Sequence, residues 1–343
     1  SAPGYHSSGR SVAFAHYGLG DPSVKALTAL SMADLAAEPD EGFAPAASIH
    51  PALHIARADQ RDALDALEAV HAHYGCDYTR MSGEEARQHF PALKTGADHC
   101  ADALLDHGSL KLDADVMLQN ALRALRSYGG QWVTNARIES LTYDGAHWLA
   151  KVSDEVFKAR YVVNAAGAWV DEIARLAGAE PIGIEPRRRT VIGFEAPAGI
   201  DVSHWPFVKT VGEGFYILPE GSARLIASPM DQTPSPPCDA VPEELDIATI
   251  AQRIEEASEL TVRRIETSWA GLRSFVRDES PVVGFDEACP GFFWLAGQGG
   301  AGLQTSPALA RISEALLFGL EWRDEWEAVG LYPAQFSPTR LRH

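Results

Sequence analysis

The stretch Gly291–Ser306, GFFWLAGQGGAGLQTS, constrains this chain more than any other. Phe292, Phe293, Trp294, Leu295 and Ala296 form a short apolar run of strand-forming types. Gly297, Gly299, Gly300 and Gly302 follow, then apolar positions at helical spacing through Leu303, Leu309, Ile312 and Leu316. Strand, glycine turn and helix together aim bare backbone N–H groups and a positive helix end at an anionic or electron-rich ligand. The spacing Gly297-x-Gly299-x-x-Gly302 matches a dinucleotide fingerprint. That fingerprint, however, opens a βαβ unit and precedes, by roughly 20 residues, an acid that holds a ribose. Here the helix runs into GLEWRDEWEAVGLYP, with no buried strand to carry such an acid. The segment therefore reads as the last strand–helix unit of a nucleotide-binding sheet, capping a cofactor held elsewhere. A plain glycine-rich helix entry is the alternative, although four glycines in six residues give more backbone freedom than an entry needs.

At 343 residues, two domains are expected. The formal net charge of -18 argues against a nucleic-acid partner, whose recognition needs basic stripes. Cys76, Cys100, Cys238 and Cys289 are far apart and form no C-x-x-C pair, so neither a disulfide frame nor a metal site is expected. No apolar run approaches the ~20 residues of a membrane span, and no signal peptide is present. These features point to a cytoplasmic protein. The opening SAPGYHSSGRS lacks the apolar strand that begins a nucleotide-binding fold, so the expectation is either a truncated chain or a fold start that comes from elsewhere.

Along the chain, Ser7, Ser8, Arg10 and Ser11 make a loop whose backbone and hydroxyls suit phosphate, or a polar surface loop. Asp21-Pro22 predicts a helix cap, followed by a buried face of Val24, Leu27, Leu30 and Leu35. Ile49, Leu53 and Ile55 suggest a strand edge interrupted by Pro51, and 58–74 a helix. Ser82–Glu85 matches a capping box. Residues 106–113 read as a turn and 114–128 as a helix. Strands are expected at 131–135, 138–143, 147–152 and 156–159. Tyr161–Trp169, YVVNAAGAW, reads as a buried strand ending in small residues, which admit a ligand to the backbone or pack a helix tightly. From Pro181 the texture changes to strands over 187–230, a helix over 243–258 and a long strand over 262–275. Residues 281–285 and 292–296 return to the first texture, which implies a discontinuous two-domain fold.

Arg187-Arg188-Arg189 sits at a strand start, where alternation sends its members to opposite faces. Arg273 lies between Leu272 and Phe275, and an arginine in apolar surroundings needs an anion, either a ligand carboxylate or an internal acid. Tyr216 offers a phenol donor on a strand, or packs in a core. His6, His16, His50 and His54 fit no metal spacing and are expected to be hydrogen-bonded or solvated.

Taken together, GYHSSGRS (4–11), VVNAAGAWVDEIA (162–174), GIEPRRRTVIGF (183–194), GFYILP (214–219), TSWAGLRSF (267–275) and GQGGAGLQTS (297–306) resemble the FAD-dependent D-amino-acid oxidase superfamily, and especially bacterial FAD-dependent D-arginine dehydrogenases. The resemblance implies an α/β fold. A Rossmann-like FAD-binding domain (1–45, 110–180 and 276–343), incomplete at its N-terminus, would interleave with an α+β substrate domain on an antiparallel sheet (46–109 and 181–275). It places Ser7, Ser8, Arg10 and Ser11 along the diphosphate and flavin, Ile138 at the adenine end, and Ala165, Ala166, Gly167 and Trp169 near the diphosphate. Gly299, Gly300, Gly302, Leu303 and Gln304 would face the flavin ring, and Arg189, Tyr216 and Arg273 would clamp a substrate carboxylate.

The implied reaction is oxidative deamination of a D-amino acid to the 2-oxo acid and ammonia, by hydride transfer from Cα to flavin N5. A quinone or oxygen would take the electrons. His54 stands where the D-arginine enzymes place a glutamate against the substrate guanidinium, and Phe14 and Leu19 stand where they carry a histidine and a tyrosine. These departures favour a neutral or aromatic D-amino acid. The alternatives are a relative acting on glycine, sarcosine or a 2-hydroxy acid, and a truncated, non-catalytic fragment lacking stable FAD.

Overall fold

A computed structural model describes residues 3–342, so the outermost expected domain limits lie outside the described residues. The largest sheet has eight strands: β3 (Ala52–Ala56), β4 (Tyr78–Ser82), β5 (Asp102–Asp106), β11 (Glu185–Glu195), β12 (Phe207–Thr210), β13 (Tyr216–Pro219), β14 (Arg224–Ser228) and β15 (Ile265–Phe275). Their spatial order is β15-β11-β14-β13-β12-β3-β5-β4, and only the β12–β3 pair is parallel. Period-two alternation gives this sheet two unlike faces. Ile192, Ile217, Leu225 and Ala227 point to an apolar layer with Phe90, Trp205 and the helices α3 (Gly83–His89) and α6 (Glu244–Ala257). Arg189, Tyr216, Lys209 and His54 point the other way, since Tyr216 lies opposite both Lys209 and Ser228, and Lys209 lies opposite His54.

A second sheet, β10 (Val162–Asn164), β17 (Phe292–Ala296) and β16 (Val282–Phe285), pairs β10 with β17 in parallel. Helices α1 (Pro22–Ala36) and α7 (Ser306–Phe318) cover one of its faces through Leu27, Phe293, Leu309 and Ile312. Helix α5 (Val170–Ala177) and the meander β7 (Ser140–Tyr143), β8 (Trp148–Val152) and β9 (Glu155–Ala159) cover the other through Trp148, Phe292 and Trp294. A small sheet of β1 (Phe14–Ala15), β6 (Leu110–Leu112) and β2 (Ala47–Ile49) joins the segments between. Helices α2 (Arg61–His73), α4 (Ala114–Ser127) and α8 (Asp324–Ala328) complete the fold.

Caps follow the sequence. Asp21 accepts from Val24 N at 2.9 Å, and Ser82 and Glu85 form the reciprocal box. Several local expectations are corrected. Residues 131–135 form no strand, and Trp132 and Val133 stand half exposed with no sheet to pair with. Residues 106–113 contain the end of β5 and all of β6 rather than one turn. Pro51 separates two strands of different sheets, and β3 is buried mid-sheet rather than at an edge. Leu303 lies in the turn ahead of α7, and β10 spans only three residues. Among the described residues no helix is long and apolar enough to cross a membrane.

Candidate active site

The arginine run divides as strand alternation requires. Arg187 pairs at the surface with Glu185 and Glu279. Arg188 turns to the apolar face, where Glu243 and Asp246 neutralise it. Arg189 turns to the opposite face with a side chain only 14% exposed. Its Nε donates to the Asp231 carbonyl at 2.9 Å, and the Asp231 carboxylate lies 3.7 Å away. Arg273, from β15, reaches the same carbonyl at 3.4 Å, while its Nε has no partner and no carboxylate lies within ion-pair distance among the described residues. The two guanidiniums thus converge on one backbone oxygen, and among the described residues only Arg189 has an acid, Asp231, within ion-pair distance. That acid is itself spent on Thr190, whose N–H donates to it at 2.8 Å.

The electrostatics follow from burial. Burial pushes Arg273 down to about 9, helped by the neighbouring charge of Arg189, and burial lowers Arg189 as well. Burial raises Asp231 against the pull of Thr190 and Arg189. The Tyr216 phenol lies beside Arg189, raised by burial. Lys209, two positions after Phe207, was not anticipated from the sequence. The only hint was a lone cation in the apolar run WPFVKTV. Burial, with Arg189 and Arg273 nearby, pushes it down to about 8.

The glycine turn meets this cluster. Gly299 N donates to Ser274 O at 2.9 Å, next to Arg273 in β15. Gly299 has φ 53°, and a Cβ there would lie 2.5 Å from the Phe275 ring. A Cβ on Gly300 would lie 3.0 Å from Arg273 Nη1. The glycine turn ahead of α7 and the arginine pair are therefore adjacent, through Gly300 and Arg273. Behind it Gln304 is buried. Its Nε2 donates to Thr28 Oγ1 at 2.7 Å, and its Oε1 is unpartnered. Gly302 and Leu303 complete the turn, with Leu303 packed toward Ala13 and Leu112.

By donor chemistry the two guanidiniums suit an acid group, and the buried, unpartnered Oε1 of Gln304 is an acceptor that an N–H of a bound ring would satisfy. The chain belongs to the FAD dependent oxidoreductase family, whose model matches residues 1–316. It is 26% identical over 302 residues to FAD-dependent oxidoreductase domain-containing protein 1 of Bos taurus, which covers 77% of this chain and 60% of that protein. The chain thus spans about 60% of that relative's length. Among solved structures, L-proline dehydrogenase from P. horikoshii superposes with a TM-score of 0.81 at 18% identity, covering 98% of this chain and 88% of that one. Glycine oxidase from Geobacillus kaustophilus gives 0.78 at 19%, covering 98% and 89%. These two likenesses establish the mixed α/β fold.

The other anticipated FAD contacts fall into two groups. Ser7, Arg10 and Trp169 line one small cleft with Gly271. Ser7 Oγ donates to Leu272 O at 2.6 Å. Arg10 does not offer a free guanidinium, because Asp239 and the carbonyls of Tyr5, Ala240 and Ala270 already hold it. Ser8 begins a single 3₁₀ turn, and Ser11 Oγ accepts from Ala13 N at 3.0 Å. Ala165, Ala166 and Gly167 follow β10 as small residues, with Ala166 N donating to Asn164 Oδ1 at 3.4 Å. Ile138 sits apart, against the Trp148–Phe292 cluster.

His54 departs from the expectation of a solvated or hydrogen-bonded ring. It is fully buried with both ring nitrogens unpartnered. Its neighbours are His16, with ring centroids 5.3 Å apart, and His71, at 6.2 Å. His16 accepts from Gly18 N at 3.0 Å through Nδ1, and burial pushes it down to about 3, so it is neutral. His71 Nε2 stands 3.2 Å from Asp106. A cavity of about 320 Å³ lies on the other side of the eight-stranded sheet between Ile55, Phe215 and Arg253.

Proposed function

We propose that this chain, with FAD, oxidises a D-amino acid at its Cα–N bond, giving an imine that hydrolyses to a 2-oxo acid and ammonia. One observation carries the reading: two buried guanidiniums, one of them with no carboxylate within ion-pair distance among the described residues, meet at the Asp231 carbonyl beside the glycine turn. Burying an unpaired cation costs several kcal/mol, so such a pair is built for an incoming acid group. L-proline dehydrogenase and glycine oxidase, by their names, oxidise amino acids, which agrees with a carboxylate clamp.

FAD supplies the hydride acceptor when bound. Gly299, Gly300, Gly302, Leu303 and Gln304 would hold its ring, where the N-terminus of α7 favours negative charge. Ser7 and Ala165–Gly167 would serve its phosphates. Arg189 and Arg273 fork the substrate carboxylate, with Tyr216 as a third donor. Fixing the carboxylate fixes the direction of the Cα–H bond, so positioning is the protein's share of the rate. The electrons then pass to a quinone or to oxygen.

The test is anaerobic mixing of the FAD-loaded protein with D- and L-amino acids. Bleaching of the flavin band by D-amino acids, with 2-oxo acid and ammonia in equal amounts, is the expected result. A flavin left oxidised by every amino acid would overturn the reading.

A further inference from the structure

Lys209 lies on the same sheet face as the arginine pair and has no carboxylate within ion-pair distance among the described residues. Its cross-strand partners are Tyr216 on β13 and His54 on β3. It is 9% exposed, and its Nζ makes one hydrogen bond, to Thr210 O at 3.2 Å. From β11 to β12 is three strand spacings, about 14 Å between backbones. Long side chains reach inward from both ends, which brings the three cations within each other's field.

Charge counting then separates two roles. Asp231 and one substrate carboxylate together balance Arg189 and Arg273. Lys209 is left over. His71 Nε2 lies 3.2 Å from the Asp106 carboxylate and Ser109 Oγ donates to it at 2.6 Å, so that acid is already engaged. His54 is buried beside Lys209 with both nitrogens unpartnered, which adds an uncommitted donor at the same end.

From this arrangement we propose that Lys209 is a specificity-determining residue and that the substrate is an acidic amino acid, whose side-chain carboxylate meets Lys209 and His54 while its α-carboxylate meets the arginines. This rests on reading the arginine pair as the α-carboxylate clamp. It replaces the neutral or aromatic side chain favoured by the sequence, because an apolar side chain would leave Lys209 buried without an anion.

The experiment compares glutarate with butyrate as unreactive ligands by calorimetry on the FAD-loaded protein, beside anaerobic flavin reduction by D-Glu, D-Asp, D-norvaline and D-Arg. Glutarate is expected to bind at least tenfold tighter than butyrate, and D-Glu or D-Asp to exceed D-norvaline at least tenfold in kcat/KM. Lys209→Met should erase both ratios and Lys209→Arg retain most of each. Melting curves identify a misfolded variant, in which case Lys209→Gln takes its place. Equal binding of the two ligands by the wild type, or ratios that survive in a folded K209M, would overturn the assignment. Flavin reduction best with D-norvaline or D-Arg overturns this inference alone. No reduction by any amino acid overturns the proposed function and this inference with it.

Discussion

Arg188 and Arg189 are neighbours in the chain, yet the two faces of β11 give them opposite surroundings. Arg188 meets two carboxylates, Glu243 and Asp246, and is neutralised within the protein. Arg189 has one carboxylate, Asp231, and Arg273 beside it has none within ion-pair distance among the described residues, on a face that also carries Lys209. The first face is a stability device, in which removing the cation strands two acids. The second holds surplus positive charge that stability alone does not explain, and surplus buried charge marks a place for a ligand. What decides between the two roles is the supply of carboxylates, not burial.

The sharpest way to break this contrast is Arg273→Met. Loss of one fork of a buried charged pair is worth roughly 3 kcal/mol, so kcat/KM for flavin reduction is expected to fall at least ~100-fold. The melting temperature should hold, since the lost cation has no carboxylate partner. Arg188→Met should do the reverse. It leaves Asp246 buried and Glu243 more than half exposed, so a loss of about 2 kcal/mol in denaturant unfolding is expected, with KM unchanged.

A steric change sharpens the comparison further. Gly299→Ala puts a Cβ 2.5 Å from the Phe275 ring at φ 53°. Strain of about 1–3 kcal/mol should appear as weaker FAD retention, read by the flavin released on gel filtration.

The smallest expected effect is a pH dependence. An unfolded lysine holds its proton to ~10.4, whereas buried Lys209 gives it up near about 8. Between those values the unfolded chain binds more protons, so stability rises with pH. Relative to K209M, the wild type should gain about 1 kcal/mol per pH unit at most between pH 8 and 10, measured by urea unfolding. The facing groups Tyr216, His54, His16, Arg189, Arg273 and Asp231 are common to both proteins, so the difference reports Lys209 together with its coupling to them.

Much was legible without coordinates because it depends on local chemistry. Asp21 caps α1, Ser82 and Glu85 cap α3, and β17, the glycine turn and α7 follow one another as the residue types require. Alternation alone placed Arg188 and Arg189 on opposite faces, and two motifs far apart in the chain named Arg189 and Arg273 together. Residues 131–135 failed because strand-forming residues become a strand only where a partner strand is present. That Asp239, 229 residues away, holds the Arg10 guanidinium was not legible in the loop itself.

Backbone preferences, caps and face alternation were therefore set by the amino-acid order, since each depends on residues within a few positions. The balance of charge at the site was decided only by the tertiary structure. Lys209, Asp231 and the unpartnered ring of His54 gain their meaning from strands that the order of residues keeps far apart, and the Coulomb energy of a buried group depends on neighbours in space.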